Sequence, residues 1–225
     1  ISVPILVYIA AGALVCGLIG LGAGLLTLRL RGVYFAIATL AVAIVFQTLI
    51  NNWHYVGGAK GVTILTPSPP LFFSSYVKYL FVLMLLMALL AIVISRYISI
   101  SKFGRGLAAI RDDEVAAECM GVPTLRLKLI SATIMGVLMG VAGAPYPFYV
   151  SFVDPLSAFS LIVAVNAIAM PMIGGTAYWF GPVIGALLLG TAQEVLSVTI
   201  SSELNVFLVG IVLVGFVILA PRGIV

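Results

Sequence analysis

Few side chains in this sequence can do chemistry, and their spacing restricts it further. Asp112, Asp113 and Glu114 offer carboxylates for general acid–base work. Helix neighbours point about 100° apart, so Asp112 and Asp113 cannot face one substrate as a pair. His54 is the only histidine, which excludes H-E-x-x-H and any multi-histidine metal site. "GGAKGVT", Gly57–Thr63, has the glycines and lysine of a phosphate loop but not the G-x-x-x-x-G-K-[ST] spacing. "GLIGLGAGL", Gly17–Leu25, lies in an apolar run with no strand before it and is no dinucleotide fingerprint. No G-x-S-x-G occurs, and Cys16 and Cys119 are two distant thiols in unlike surroundings. No catalytic, cofactor-binding or metal-ligating residue is assigned, and an intramembrane enzyme is poorly supported.

Another kind of chemistry is open to polar side chains inside apolar runs: lining a path for a polar solute, or bonding one helix to another. Asn166 is the most central of these. Gln47 and Glu194 lie nearer the ends of their runs, where they can also reach the membrane interface. Tyr34 and Thr39 sit in "GVYFAIATL". Asn166, Tyr34, Thr39 and Gln47 are the candidates for a translocation path.

The elements that must carry these residues follow from composition. Of 225 residues, 63% are hydrophobic and 8% charged, against about 25% charged in a soluble domain. A water-exposed surface cannot be built from that inventory, so the chain is expected to be an integral membrane protein. Crossing the hydrocarbon takes roughly 20 apolar residues as a helix. Candidate spans are 3–26, 32–50, 76–95, 129–150, 157–175 and 180–198, with 204–220 as a seventh. The run 157–175 holds Pro171 and Gly174-Gly175 and can be either a full span or re-entrant. Ile1 and the lack of a basic stretch before the first run lead us to expect a segment of a longer protein, without some N-terminal helices. Gly20-xxx-Gly24, Gly136-xxx-Gly140 and Gly181-xxx-Gly185 allow close helix packing. We expect an all-α, polytopic membrane bundle forming one permease-like domain over 1–225.

Charge orients it. Ten of the eighteen charged residues fall between Arg96 and Lys128. With that segment in the cytoplasm, Arg29, Arg31 and Arg222 also fall inside, giving nine basic residues inside against Lys60 and Lys78 outside. This is the positive-inside bias, and it accounts for the net charge of +4 better than nucleic acid does. The outer loop 51–75 then carries Trp53, Tyr55, Phe72 and Phe73 as interfacial anchors, and Asp154 is also outside.

Within 96–128, Asp112 is suited to cap a helix with Asp113 and Glu114 in its first turn. Val115, Ala116, Cys119 and Met120 then share an apolar face, with Glu114 and Glu118 opposite. Gly121 fits the C′ position, and Pro123 prevents continuation. The expected product is an amphipathic helix of roughly nine residues, too short to span and needing a protein partner.

"GRGLAAIRDDEVAAECMGV", Gly104–Val122, resembles the cytoplasmic coupling segment of ATP-binding-cassette importer permeases; Glu114, Ala116, Ala117 and Gly121 match its acidic-Ala-Ala…Gly pattern. With "RLRGVYFAIATLA" (Arg29–Ala41), "MIGGTAYWFGPVIGA" (Met172–Ala186) and "APRG" (Ala220–Gly223), the chain resembles the branched-chain amino acid permease family, in particular its LivM-type subunits. Two departures stand out: no Gly-rich G-x-x-S-L-G stretch, and "GGTAY" (Gly174–Tyr178) where the family commonly has G-G-x-G-T. The resemblance implies a permease subunit of a bacterial or archaeal plasma membrane importer. Its partners would be a second permease, two cytoplasmic ATPase subunits, an extracytoplasmic solute-binding protein and membrane lipid, and ATP would bind only the ATPase subunits. Arg111, Asp112, Glu114, Ala116, Ala117 and Gly121 would dock an ATPase subunit. Alternatives are a related permease for urea, amides or a sugar, and a secondary transporter or channel.

Overall fold

The computed structural model describes residues 5–27, 30, 33–64, 75–175, 178–199 and 210. In lipid, every backbone N–H and C=O must be bonded within its own segment, and the long apolar runs accordingly become helices. α1 (Ile5–Thr27) and α2 (Val33–Asn52) lead through two short turns to a two-residue strand, β1 (Val62–Thr63). α3 (Tyr76–Ile100) is followed by α4 (Lys102–Asp112), α5 (Glu114–Cys119) and α6 (Thr124–Gly143). Next come α7 (Tyr146–Val150), β2 (Phe152–Val153), α8 (Pro155–Ala158), α9 (Leu161–Gly174) and α10 (Gly181–Thr199).

Four described stretches are long and apolar enough to cross a membrane: Ile5–Thr27, Tyr76–Ile100, Thr124–Val150 and Pro155–Gly174. A fifth is reached if Ile37–Asn52 and His54–Lys60, bent by 81°, are one span. The chain is thus a polytopic helical membrane protein. Expected span 180–198 appears as α10. Span 204–220, Arg29, Arg31, Phe72, Phe73, Arg222 and the "APRG" stretch lie outside the described residues, so the count of seven is not reached among those described. Leu26 and Phe81 are among many large apolar side chains left exposed, as lipid-facing groups are. The contacts divide the chain into two compact units, Ile1–Phe159 and Ser160–Val225.

The first unit is built on α1 and α6. A Cβ added at Gly12 would lie 3.0 Å from the Gly140 carbonyl oxygen, and one at Gly20 2.8 Å from that of Ala132. One at Gly136 would fall on the Cys16 carbonyl oxygen. Gly12, Cys16 and Gly20, each four residues apart, therefore meet Gly140, Gly136 and Ala132 in antiparallel order. The small-residue stripe on α1 thus includes Gly12 and Gly20, and Gly24, which the sequence pattern pairs with Gly20, is also buried. Antiparallel packing puts Ile5 and Ile9 of α1 with Leu80 of α3 in one buried cluster, flanked by Tyr76, Val141 and Phe148. At that same end β1 pairs antiparallel with β2, Val62 opposite Val153 and Thr63 opposite Phe152. Gly61 (φ 69°) is needed here, because a side chain would strike the Val153 carbonyl oxygen 2.7 Å away. Asp154 caps α8 by accepting from the Ser157 N–H at 3.1 Å, and hydrogen bonding from Ser157 holds its carboxyl below the usual range.

In the second unit α9 and α10 form an antiparallel pair. Added Cβ atoms at Gly174 and Gly185 would fall on the carbonyl oxygens of Gly181 and Met170 respectively, so the two backbones touch. Ala169, Ile173 and Leu189 form the buried cluster of this pair. Pro171 lies inside α9, where it removes one helical donor. In the "GGTAY" departure, Gly175 has φ 97°, and Thr176 and Ala177 lie outside the described residues.

Gly136→Leu is expected to force α1 and α6 apart, costing about 1–3 kcal/mol or more as overpacking. The yield of folded protein extracted in mild detergent should fall well below that of Gly143→Leu, whose added Cβ meets nothing within 4 Å. Equal yields would remove the seam argument.

Candidate functional site

The charged segment folds as two helices, α4 and α5, between α3 and α6. Ser101 breaks α3 from α4: its backbone is extended (φ −75°, ψ 166°), and its hydroxyl accepts from the Gly104 N–H at 3.1 Å while donating to the Ile98 carbonyl at 2.7 Å. Gly104 must be small, since a Cβ would fall on that same Ile98 carbonyl oxygen. Gly106 lets α4 lie on α6, with Leu127 Cδ1 only 2.7 Å from where its Cβ would be. Arg96 ends up in the last turns of α3, and Arg126 and Lys128 in the first turns of α6.

Asp113, not Asp112, caps α5. Asp112 is still in the last turn of α4, whereas Asp113 is extended (φ −157°, ψ 114°). Its Oδ1 accepts from the N–H groups of Val115 at 2.9 Å and Ala116 at 3.0 Å. A cap needs non-helical backbone ahead of free N–H groups, and only the second aspartate has it. The helix is consequently six residues long, shorter than the nine expected. Arg111 and Asp112 belong to α4 and form an exposed pair at 3.4 Å, with side chains 64% and 72% accessible. Such a pair contributes little to stability.

The far end of α5 closes as a Schellman motif. Gly121 has φ 81°; its N–H bonds the Glu118 carbonyl at 2.9 Å, and the Val122 N–H bonds that of Ala117 at 3.0 Å. This is the C′ glycine that the sequence marks.

On α5 Ala117 is buried and Glu114 half-buried, while Glu118 is exposed along with the apolar residues. Glu114 and Glu118, expected opposite the apolar face, reach back to α6. Lys128 Nζ lies 2.6 Å from Glu114 Oε1, with side chains 22% and 28% accessible. The Thr124 hydroxyl donates to Glu118 Oε1 at 2.6 Å. Ala117 is buried. Val115, Ala116, Cys119 and Met120 all face outward and exposed. Met120 is 85% accessible. Of the six residues assigned to docking, Arg111 and Asp112 thus sit on the neighbouring helix and Glu114 and Ala117 turn inward. Ala116 is outward, and Gly121 shapes the end. Lys128 and Thr124 were missed. Their spacing of four, matching Glu114 and Glu118, was the available signal.

The polar candidates fall on two helices, one in each unit. Tyr34, Thr39 and Gln47 are all on α2. Thr39 and Gln47 lie about 80° apart around its axis and Tyr34 about 140° from each; Tyr34 is exposed. Asn166 is on α9, in the other unit. Its Oδ1 accepts from Gln193 Nε2 of α10 at 3.0 Å, so it bonds two helices along the seam that also brings Met170 to Gly185. Gln193, one residue before the Glu194 singled out in the sequence, was missed because both fall in one polar pair. A groove of about 270 Å³ between α3 and α6 is lined by apolar side chains, Met84, Met87 and Leu138 among them. Among the described residues, no group of three or more His, Cys, Asp or Glu side chains is placed to hold a metal ion.

Comparison with known proteins connects with this arrangement. The family model described as "Branched-chain amino acid transport system / permease component" matches residues 2–217. The LivM permease protein of the high-affinity branched-chain amino acid transport system is 30% identical in Salmonella typhimurium over 92% of this chain and 55% of the relative. The LivM protein of Escherichia coli is 29% identical over 93% of this chain and 55% of its own length. LsrC of Yersinia enterocolitica, an autoinducer 2 import system permease protein, is 24% identical over 95% of this chain and 61% of the relative. The chain spans about half the length of the LivM proteins it matches. No solved structure matches it.

Gly121→Val should cost roughly 1–2 kcal/mol, because a β-branched side chain is forced into left-handed backbone; a Cβ there meets nothing within 4 Å, so the cost is conformational alone. Gly121→Asn should be milder. Faster amide exchange over residues 114–122 in the valine variant alone is the expected reading, and equal exchange in both removes the cap argument. Asn166→Leu should loosen α9 from α10 by about 0.6–1.7 kcal/mol. Thermal unfolding of Asn166→Leu, Gln193→Leu and the double variant checks this, and additive losses would mean that the two side chains do not interact.

Proposed function

We propose that the chain, which belongs to the branched-chain amino acid permease family, is a membrane-spanning subunit of an ATP-driven importer for those amino acids. In this reading it is not itself an enzyme. It sits in a bacterial or archaeal plasma membrane beside a second permease, and two cytoplasmic ATPase subunits hydrolyse ATP. An extracytoplasmic protein delivers the solute.

One observation carries the reading: a capped helix, too short to cross a membrane, that shows Val115, Ala116, Cys119 and Met120 to its surroundings while its acids are engaged with α6. Exposed apolar groups on a polar segment of a membrane protein mark a protein contact. An apolar-lined cleft on an ATPase subunit is the partner of matching chemistry. The nine-to-two basic asymmetry supports a cytoplasmic α5. For the solute path we propose the face of α2 that carries Thr39 and Gln47.

A second reading, import of a different small polar solute, draws support from the relative named for autoinducer 2 import, which matches as much of this chain as the LivM proteins do.

The test is reconstitution of the full-length protein with its genomic partner subunits in liposomes. Leucine, isoleucine or valine, presented with the binding protein, should stimulate ATP hydrolysis, and Met120→Asp should weaken capture of the ATPase subunits about tenfold or more. Stimulation by another solute alone would favour the second reading. No capture of an ATPase subunit by the unaltered protein would end both.

A further inference from the structure

α5 has six residues, far fewer than the twelve or so that make a helix marginally stable on its own. Its caps order its ends, but its placement depends on what joins it to the bundle. Two polar bonds do so, and they are in register. Glu114 and Glu118 stand one turn apart on α5; Lys128 and Thr124 stand one turn apart on α6. The order is antiparallel, Glu114 to Lys128 and Glu118 to Thr124, each at 2.6 Å. Ala117, between Glu114 and Glu118 in sequence, is the buried residue of α5.

One bond would let α5 pivot about it. Two bonds a turn apart fix both its rotation and its position along α6. α6 in turn touches α1 through backbone, at Gly136 against the Cys16 carbonyl and at Gly140 against that of Gly12. A rigid line therefore runs from α5 through α6 to α1.

We propose that the Glu114–Lys128 and Glu118–Thr124 pair is a clasp that converts displacement of α5 into displacement of α6 and α1. These residues are positioning residues: they act through α6 and touch neither solute nor nucleotide. The inference rests on the importer reading for what pushes α5, but the clasp itself can be tested without it.

Amide hydrogen exchange on the purified full-length protein reads the clasp directly. Thr124→Val and Lys128→Gln should each speed exchange across Val115–Val122, leave the amides of 130–143 unchanged, and act more strongly together. Thr124→Ser, which keeps the hydroxyl, should behave as the unaltered protein. Unchanged protection of α5 in both single variants overturns the clasp, whatever the chain transports.

The reconstituted transporter reads the conversion of movement. Lys128→Glu should lower solute uptake per ATP hydrolysed by about two- to thirtyfold, the range of couplings carried by side chains that touch no ligand. Adding Glu114→Lys, which restores opposite charges with the order reversed, should recover most of that ratio. An unchanged ratio in Lys128→Glu and Thr124→Val overturns the proposal, as does a lowered ratio that the reversed pair does not restore. If Lys128→Glu fails to insert, Thr124→Val against Thr124→Ser decides the matter alone. If the unaltered complex takes up no solute, the importer reading falls while the exchange measurement still decides the clasp.

Discussion

Contact between the backbones of α1 and α6 is the constraint on which the rest of the first unit depends. Between helices in lipid no hydrophobic force operates, because the acyl chains are as apolar as the side chains they touch. Attraction must come from close packing, and Gly12, Gly20, Gly136 and Gly140 supply it by removing the atoms that would hold the axes apart. Because the contacts repeat every four residues on both helices, they set an antiparallel register as well as a distance. That register puts the Thr27 end of α1 beside the Thr124 end of α6, and the Ile5 end beside Val141 and Leu80. The paired strands follow at one extremity and the charged segment at the other. The α9–α10 pair repeats the solution independently with Gly174, Gly181 and Gly185.

α5 shows how a short segment is held where no bilayer and no large core can hold it. Its ends obey local rules, an aspartate cap and a glycine stop. Its roll obeys neither hydrophobic burial nor solvation of charge in their usual sense. The partly shielded ion pair of Glu114 with Lys128 and the hydroxyl bond of Glu118 with Thr124 draw the polar face inward, and the apolar residues are left outside. Apolar exposure at a membrane protein's water-facing end is unfavourable in isolation. In the importer reading, an ATPase subunit would cover that surface.

Much of this was legible in the sequence. The long helices follow from apolar runs that leave the backbone no other way to satisfy itself. Gly121 and Pro123 mark the end of α5 because few other residues take that backbone geometry. The start was harder. Asp112 and Asp113 have the same side chain, and which one caps depends on how far α4 runs, which their own residue type does not state. The inward turn of Glu114 and Glu118 was not legible from their own spacing, since an i,i+4 pair of acids normally reads as a solvated face. Only the matching spacing of Thr124 and Lys128, across a turn whose direction the sequence does not state, reveals it. Likewise Asn166 could bond a neighbour or face water. The choice came from Gln193, brought opposite by the register of glycines two turns away.

The position of the α1–α6 seam along α6 gives that helix unequal arms. With 1.5 Å of rise per residue, Gly136 lies about 18 Å from Thr124 and about 10 Å from Gly143. Contacts at Ala132, Gly136 and Gly140, over two turns, hold α6 to α1 as one body. A tilt of that pair about Gly136 would move the α5 end sideways roughly twice as far as the strand-paired end, and in the opposite direction. The unequal arms give the longer reach to the side that carries α5.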